Sequence, residues 1–278
     1  MNAVLKEAPR AVEDNRVQMR LENVRVEFKS RSLSVLAVDD ISIDVKRGEF
    51  VALVGPSGCG KSTALNMIAG LLKPSAGSVS YDGAPVTGAN TRVGYMTQKD
   101  TLLPWRTVED NIGISFELRA QKARAGQKRE RVQEMIELVG LKGFERHYPS
   151  ELSGGMRKRA ALARMLIYEP ETLLLDEPFG ALDAQLRLVM QQELLRLVDR
   201  RKMTVVLVTH DLEEAVALAD RVAVFTSRPG KIRLVRDIEF PRPRVPEKLR
   251  FTPEFGAICE ELWMELREEV AKSVAGHA

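Results

Sequence analysis

Residues 24–28 and 37–45 alternate apolar with polar positions, which predicts two strands with one exposed face. Residues 50–54 read Phe-Val-Ala-Leu-Val without a polar break and stop at Gly55, the pattern of a strand buried on both faces. A helical apolar pattern follows over 61–69 and ends at Gly70. Two further apolar strands, 172–175 and 205–208, flank a helical stretch at 185–201; that βαβ rhythm predicts a parallel sheet covered by helices. Between them, 108–140 is helical and heavily charged, with a basic stretch at 121–131. Asp211 and Glu214, spaced as a capping box, open another helix and leave His210 between strand and helix, on the sheet's carboxyl edge. Beyond 236, Pro241, Pro243 and Pro246 alternate with Arg242 and Arg244 as an extended linker. A last amphipathic helix then carries Phe255, Ile258, Leu262, Leu266 and Val270, and reads as a packed accessory helix rather than a free membrane-binding one.

Composition narrows the class only modestly. The 278 residues allow one large domain or two small ones, and 42 basic against 39 acidic residues leave a net charge of +3. That balance, with no aromatic residues interleaved in 121–131, argues against a nucleic-acid partner and makes the basic stretch a solvated helix face. Cys59 and Cys259 stand far apart, forming neither a disulfide framework nor a zinc pattern, which suits a reducing cytosol. The N-terminal residues 1–16 have no apolar segment of the secretory-signal kind, and no apolar run approaches the ~20 residues that span a bilayer. Any membrane role is therefore expected to run through a partner.

The chemistry is concentrated in a few short motifs. Gly55-Pro56-Ser57-Gly58-Cys59-Gly60-Lys61-Ser62 fits G-x-x-x-x-G-K-[ST] and lies between a predicted strand and a predicted helix, as a phosphate-binding loop must. Its glycines let main-chain amides face phosphate oxygens, the helix N-terminus adds positive charge, Lys61 can neutralise the β- and γ-phosphates, and Ser62 can ligate magnesium. Thr63 follows as the next residue of the ATP-binding segment. Cys59 reads as a small loop residue, not a nucleophile. Asp176 and Glu177 end the strand at 172–175, on the edge where open α/β sheets bind ligands. Asp176 can hold the magnesium shell, and Glu177 can act as general base on water in line with the γ-phosphate. On these motifs alone, a P-loop kinase or switch protein and a transport ATPase both remain open.

Leu152-Ser153-Gly154-Gly155-Met156 resembles the signature motif of ATP-binding cassette proteins, ordinarily L-S-G-G-Q. With the phosphate loop and strand-end acids in the right order, the resemblance to that family spans residues 17–236. It implies an α/β fold, a P-loop NTPase core of RecA type with an antiparallel β subdomain and an inserted α-helical subdomain at about 99–160. The implied organisation is a tail at 1–17, an ATP-binding domain at 18–236, and a linker with its helix at 237–278. It also implies roles: Gln98 as the Q-loop glutamine reaching magnesium and water, Asp183 in a D-loop crossing to an opposite subunit, His210 as a γ-phosphate switch, and Phe28 stacking on adenine. Ser153, Gly154 and Gly155 would touch the γ-phosphate held by a second cassette, so the resemblance implies a head-to-tail dimer enclosing two ATP molecules, expected as a homodimer with a different cassette subunit as the open alternative. Met156 departs from the family's Gln and puts one secondary polar contact in doubt.

The block from Leu102 through Pro104, Trp105 and Arg106 to Asn111, and the run from Phe225 to Lys231, resemble nitrate, sulfonate and taurine importer ATPases. The implied protein works peripherally at the cytoplasmic face of the cell membrane. Its partners there are an integral membrane permease and, through it, an extracytoplasmic solute-binding protein. Alternative readings are the ATPase of a lipid-trafficking system, whose members also tend to carry Met at the Met156 position, and a soluble non-transport cassette ATPase.

Overall fold

The structure, a computed structural model, describes residues 16–29, 34–99, 101–117 and 128–275, without the side chains of 270 and 272–275. The tail before residue 16, most of the basic stretch at 121–131, and the Val270 side chain thus lie outside the described residues. The chain forms two compact units, one from the residues up to 91 together with those from 191 onward, the other from residues 92–190.

The first unit opens with β1 (Val17–Lys29) and β2 (Ser34–Lys46), paired antiparallel from Val17 opposite Lys46 to Lys29 opposite Ser34. Both strands exceed the expected 24–28 and 37–45. In β1 the buried positions run Met19, Leu21, then Val24, Val26. The phase of the alternation changes at Asn23, where the register shifts and φ is 47°. Such a bulge puts two residues of one strand against one of its partner. Asn23 is held there by its N–H donating to Ser42 Oγ at 2.9 Å and its Nδ2 donating to Asp40 Oδ1 at 2.9 Å. β3 (Phe50–Val54) is buried at every position, as its apolar run predicts, and leads through the Gly55–Gly60 loop into α1 (Lys61–Ile68). β4 (Ala76–Tyr81) and β5 (Ala84–Pro85) complete a sheet of order β2-β1-β4-β5.

The second unit contains β6 (Val93–Met96), α2 (Val108–Ile112), a 3-10 turn at Gly113–Glu117, α3 (Lys128–Leu138), α4 (Gly154–Leu166) and β7 (Thr172–Asp176), and α5 (Ala184–Arg201) begins in it. β6 and β7 are parallel, Val93 opposite Thr172 and Met96 opposite Leu175. The helical pattern expected across 108–140 is broken into α2, the turn and α3 among the described residues. Gly113 follows α2 directly and is a poor helix former. Asn111 also turns its amide away from the helix to bond the preceding loop.

Back in the first unit come β8 (Thr204–Val208), α6 (Leu212–Leu218), β9 (Arg221–Phe225), β10 (Ile232–Asp237), α7 (Pro246–Leu249) and α8 (Pro253–Ala275). β3 lies between β8 and β9 and is parallel to both, while β10 runs antiparallel on β9. β3, flanked on both sides by β8 and β9, is buried throughout, and so is β8. A buried polar chain joins the two sheets of this unit: Thr204 Oγ1 donates to Gln18 Oε1, Gln18 Nε2 donates to Tyr81 Oη at 3.0 Å, and Gly48 N–H donates to Thr204 Oγ1 at 2.7 Å. Each group satisfied this way avoids the cost of burying a polar atom alone.

The C-terminal segment packs onto the first unit. Phe255, Leu262 and Leu266 are buried, Ile258 is half-buried, and α8 lies against α6 and β9. The Pro/Arg stretch, expected as a linker, is tied down. Arg242 donates to Asp220 Oδ1 at 2.7 Å and to Asp199 Oδ1 at 2.7 Å. Arg244, 2% exposed, donates to the carbonyls of Ala219, Ile238 and Phe240 and pairs with Asp220 at 3.2 Å. Burial pushes its guanidinium down to about 10 against the opposing pull of Asp220. No helix among the described residues is long and apolar enough to cross a membrane.

Removing the Arg244 side chain strands the carbonyls of Ala219, Ile238 and Phe240, while Asp220 keeps its pair with Arg242. Arg244→Ala should therefore cost about 3 kcal/mol, read as a lower urea midpoint at unchanged slope. Arg236→Ala, which loses an exposed pair with Glu261, should stay within about 0.5 kcal/mol.

Candidate functional site

In the first unit, the loop between β3 and α1 is built to present backbone. Gly60 is the N-cap of α1 with φ 104°, and no side chain caps that helix. A Cβ at Gly60 would lie 2.6 Å from Val38 Cγ2, so only glycine lets the loop lie this close to β2. Lys61 is buried, and its Nζ donates to Gly55 O at 2.8 Å and Pro56 O at 2.7 Å, curling the ammonium across the loop. Ser57 and Gly58 are exposed, and Ser62 and Thr63 are half-buried on the first turn of α1. Cys59 is buried 3.5 Å from Lys61 Nζ, and burial pushes its thiol up, which matches a small loop residue rather than a nucleophile.

His210 stands beside this loop in the same unit. β3 and β8 are parallel with Leu53 opposite Val208, and Thr209 N–H donates to Leu53 O at 3.2 Å, so both chains leave the sheet at the same edge. His210 is exposed there. Asp211 caps α6 by accepting from Glu214 N–H at 3.0 Å, the first half of the expected capping box. The second half is replaced. Asp211 N–H donates to Thr209 Oγ1 at 3.0 Å, and the buried Glu214 carboxylate accepts from Thr209 Oγ1 and from Gln191 Nε2. Phe28 is on β1, 48% exposed and paired with Val35.

The remaining expected residues are in the second unit. Asp176 ends β7 at 4% exposure. Tyr95, across the β6–β7 pair, has its phenol raised by burial and further by the Asp176 charge. Glu177 leaves the strand with φ 49°, a conformation costly for a residue with a side chain. Its Oε2 accepts from Gln98 Nε2 at 3.1 Å, so two residues 79 positions apart in sequence meet directly. Lys158 of α4 donates to the Gln98 carbonyl. Ser153 is the N-cap of α4, its Oγ accepting from Met156 N–H at 3.3 Å, with Gly154 exposed at the helix start and Gly155 half-buried behind it. Asp183 caps α5 by accepting from Leu186 N–H at 2.9 Å.

The Leu102–Asn111 block is a tied loop with an outward tryptophan. Asn111, fully buried, accepts from Leu103 N–H at 2.8 Å and donates to the carbonyls of Leu103, Arg106 and Thr107. Arg106 makes a two-point pair with Glu117 at 2.7 and 2.8 Å. Trp105 is left 70% exposed on this loop rather than packed in a core.

Sequence reasoning missed the turn between β9 and β10 as part of the site. Arg228 Nε and Nη2 both lie 3.4 Å from Gly58 O, and a Cβ at Gly230 would lie 1.8 Å from Cys59 O. The Arg228-Pro229-Gly230 run was legible as a turn, but only the pairing of β9 with β3 brings it against the loop. It also missed Thr209 and Glu214 as supports of the segment that carries His210.

The site's chemistry suits a nucleotide with a hard cation. In the first unit an uncapped helix N-terminus, a buried lysine and exposed backbone suit phosphate, and the Ser62 hydroxyl is a donor of the kind magnesium takes; in the second unit the Asp176 carboxylate and the Gln98 amide oxygen are oxygen donors of the same kind. Known proteins agree. A family model described as ABC transporter matches residues 38–180. An uncharacterized ABC transporter ATP-binding protein of Methanocaldococcus jannaschii is 43% identical over 262 residues, covering 93% of this chain and 95% of its own. The aliphatic sulfonates import ATP-binding protein SsuB of Bacillus subtilis is 45% identical, covering 83% and 87%. The nitrate import ATP-binding protein NrtC of Synechococcus elongatus is 42% identical, covering 84% of this chain and 36% of that longer one. Among solved structures, the dimeric post-hydrolysis state of an ATP-binding cassette bound to ADP and Pi superposes with a TM-score of 0.72 at 31% identity, covering 80% of this chain and 99% of that chain. With its α/β cassette fold and its phosphate loop, the chain belongs to the ABC transporter family as one of its ATP-binding, ATP-hydrolysing cassettes.

Proposed function

We propose that this cassette powers an importer for a small solute such as nitrate, a sulfonate or taurine. It works as a homodimer at the cytoplasmic face of the membrane beneath an integral permease, which receives solute from an extracytoplasmic solute-binding protein. The named import activities of the sulfonate and nitrate relatives support this reading, as does the outward Trp105 on its pinned loop, a ready docking surface. The proposed organisation keeps an ATP-binding domain at 18–236 with helices inserted at about 99–160, and an accessory segment at 237–278.

The observation that carries the hydrolytic assignment is the Gln98–Glu177 contact. An amide that donates to a carboxylate fixes its orientation, so Glu177 is assigned as general base and Gln98 as the group that orients it and the water. Lys61, released from the Gly55 and Pro56 carbonyls, binds the β- and γ-phosphates, while the amides from Gly58 to Thr63 cradle them. Ser62, Asp176 and Gln98 would hold magnesium, which supplies charge neutralisation on the β- and γ-phosphates when bound. His210 contacts the γ-phosphate from the β8 end, and Phe28 offers its exposed ring to adenine. Ser153, Gly154 and Gly155 present the start of α4 to the nucleotide of the second subunit, and Asp183 faces that subunit.

Glu177→Gln should retain ATP binding, slow turnover by about 10²–10⁴-fold, and accumulate an ATP-bound dimer on size exclusion. Unchanged turnover would remove Glu177 from the mechanism. Trp105→Ala should leave the isolated chain's hydrolysis intact and reduce the permease recovered with it from native membranes in mild detergent. Full recovery would place docking elsewhere, and recovery of lipid-trafficking partners by the unaltered chain would replace the importer reading.

A further inference from the structure

Helix α8 buries an acid in its C-terminal half. Glu269 of α8 is 2% exposed, and carboxylates are almost never buried so far unless fully paired. Its Oε2 accepts from Ser227 N–H at 2.8 Å and from Ser227 Oγ at 3.0 Å, and its Oε1 accepts from Arg233 Nη1 at 2.9 Å. Ser227 opens the β9–β10 turn that lies against the phosphate loop. One residue on, Arg228 reaches Gly58 O, and Gly230 abuts Cys59 O so closely that no side chain fits. The turn is itself rigid. Thr226 N–H donates to Lys231 O at 2.9 Å, Lys231 N–H donates to Thr226 Oγ1 at 3.0 Å, and Gly230 N–H donates to Ala37 O at 3.0 Å.

We propose that α8 sets the conformation of the phosphate loop through this turn, with Glu269 as the positioning residue and Arg228 as the contact that transmits it. The charge-assisted bonds from Ser227 to Glu269 fix the turn on its outer side, and van der Waals contact fixes the loop on its inner side. A phosphate loop binds well only if its amides converge before the anion arrives, because ordering them on binding subtracts from affinity. The carboxylate of Glu269 thus acts on nucleotide affinity without touching nucleotide. Glu265 provides an internal comparison: it pairs with the same Arg233 at 2.6 Å from the same helix. Among the described residues Glu265 pairs with that arginine, whereas Glu269 also holds Ser227.

The proposal rests on the phosphate-loop assignment, so the experiment tests both. Fluorescent mant-ATP with magnesium is titrated into the purified full chain and its variants, alongside thermal unfolding and steady-state hydrolysis. The chain should bind, and Lys61→Ala should not; equal binding by the two would overturn the assignment and the proposal with it. Given that difference, Glu269→Ala should weaken mant-ATP binding about three- to tenfold and raise the KM for ATP with little change in kcat. Glu265→Ala should bind like the unaltered chain. Arg228→Gln, at an exposed position, should weaken binding in the same direction at unchanged Tm. Unaltered affinity in Arg228→Gln, or equal losses in Glu269→Ala and Glu265→Ala, would overturn the positioning role while leaving the phosphate loop in place.

Discussion

Main-chain amides that must meet an anion cannot be spent on each other, and the candidate site depends on holding such amides together at the end of β3. A loop with few bonds of its own has to be shaped from outside. Here the walls are the Val38 side chain and backbone of Ala37 and Gly230. Gly60 lies against Val38 and Ala37 of β2, and Cys59 lies against Gly230 of the β9–β10 turn. Those walls are bonded to each other, since Gly230 N–H donates to Ala37 O and Asp39 N–H donates to Gly230 O, both at 3.0 Å. The antiparallel sheet and the edge hairpin of the parallel sheet thereby close on the loop from two directions. The C-terminal helix is the outermost member of the same construction, because it buries an acid to hold the turn that forms one wall.

The carboxylates obey a different constraint. Asp176 and Glu177 are adjacent, yet one is buried at the strand end and the other turns out through a left-handed backbone conformation. A strand sends successive side chains to opposite faces, so two neighbouring acids share a task only if the chain leaves strand geometry between them. The φ of 49° at Glu177 accomplishes that and costs about 1–3 kcal/mol, a cost retained where a function selects for it. The Gln98 amide then fixes the orientation of the carboxylate without neutralising it.

Much of this was readable from residues alone where a single signal dominated. The apolar runs of β3, β7 and β8 appear as expected, because strands buried throughout need no phase information. The glycine loop and the strand-end acids stand out by local spacing, whereas the role expected of His210 came from the family resemblance and only its place after a strand was readable. β1 was half missed because the bulge at Asn23 resets the alternation. β10 was missed because its positions are only half-buried and exposed in turn, a weak contrast. Among the described residues the helical pattern at 108–140 is interrupted after α2, where Gly113 opens a 3-10 turn. Arg244 and Glu269 looked like solvated charges in a basic linker and an acidic helix. Only packing reveals them as buried anchors, since nothing local distinguishes them from Arg236 or Glu261.

Two residues assigned to a partner subunit are also helix caps, and the two roles are compatible atom by atom. Ser153 Oγ accepts one bond from Met156 N–H, which uses a lone pair and leaves its hydroxyl proton to donate to an anion. Capping thus orients the hydroxyl rather than consuming it. Asp183 Oδ1 accepts from Leu186 N–H, which fixes the plane of a carboxylate with further acceptor capacity on both oxygens. In each case the helix start is anchored by the same side chain that is offered outward. Replacing either residue would therefore lose a cap worth about 1 kcal/mol together with any contact to a second subunit. A substitution that keeps the cap, such as Ser153→Asp, separates the two, because a carboxylate can still accept from the helix but repels a phosphate where a hydroxyl would bind one.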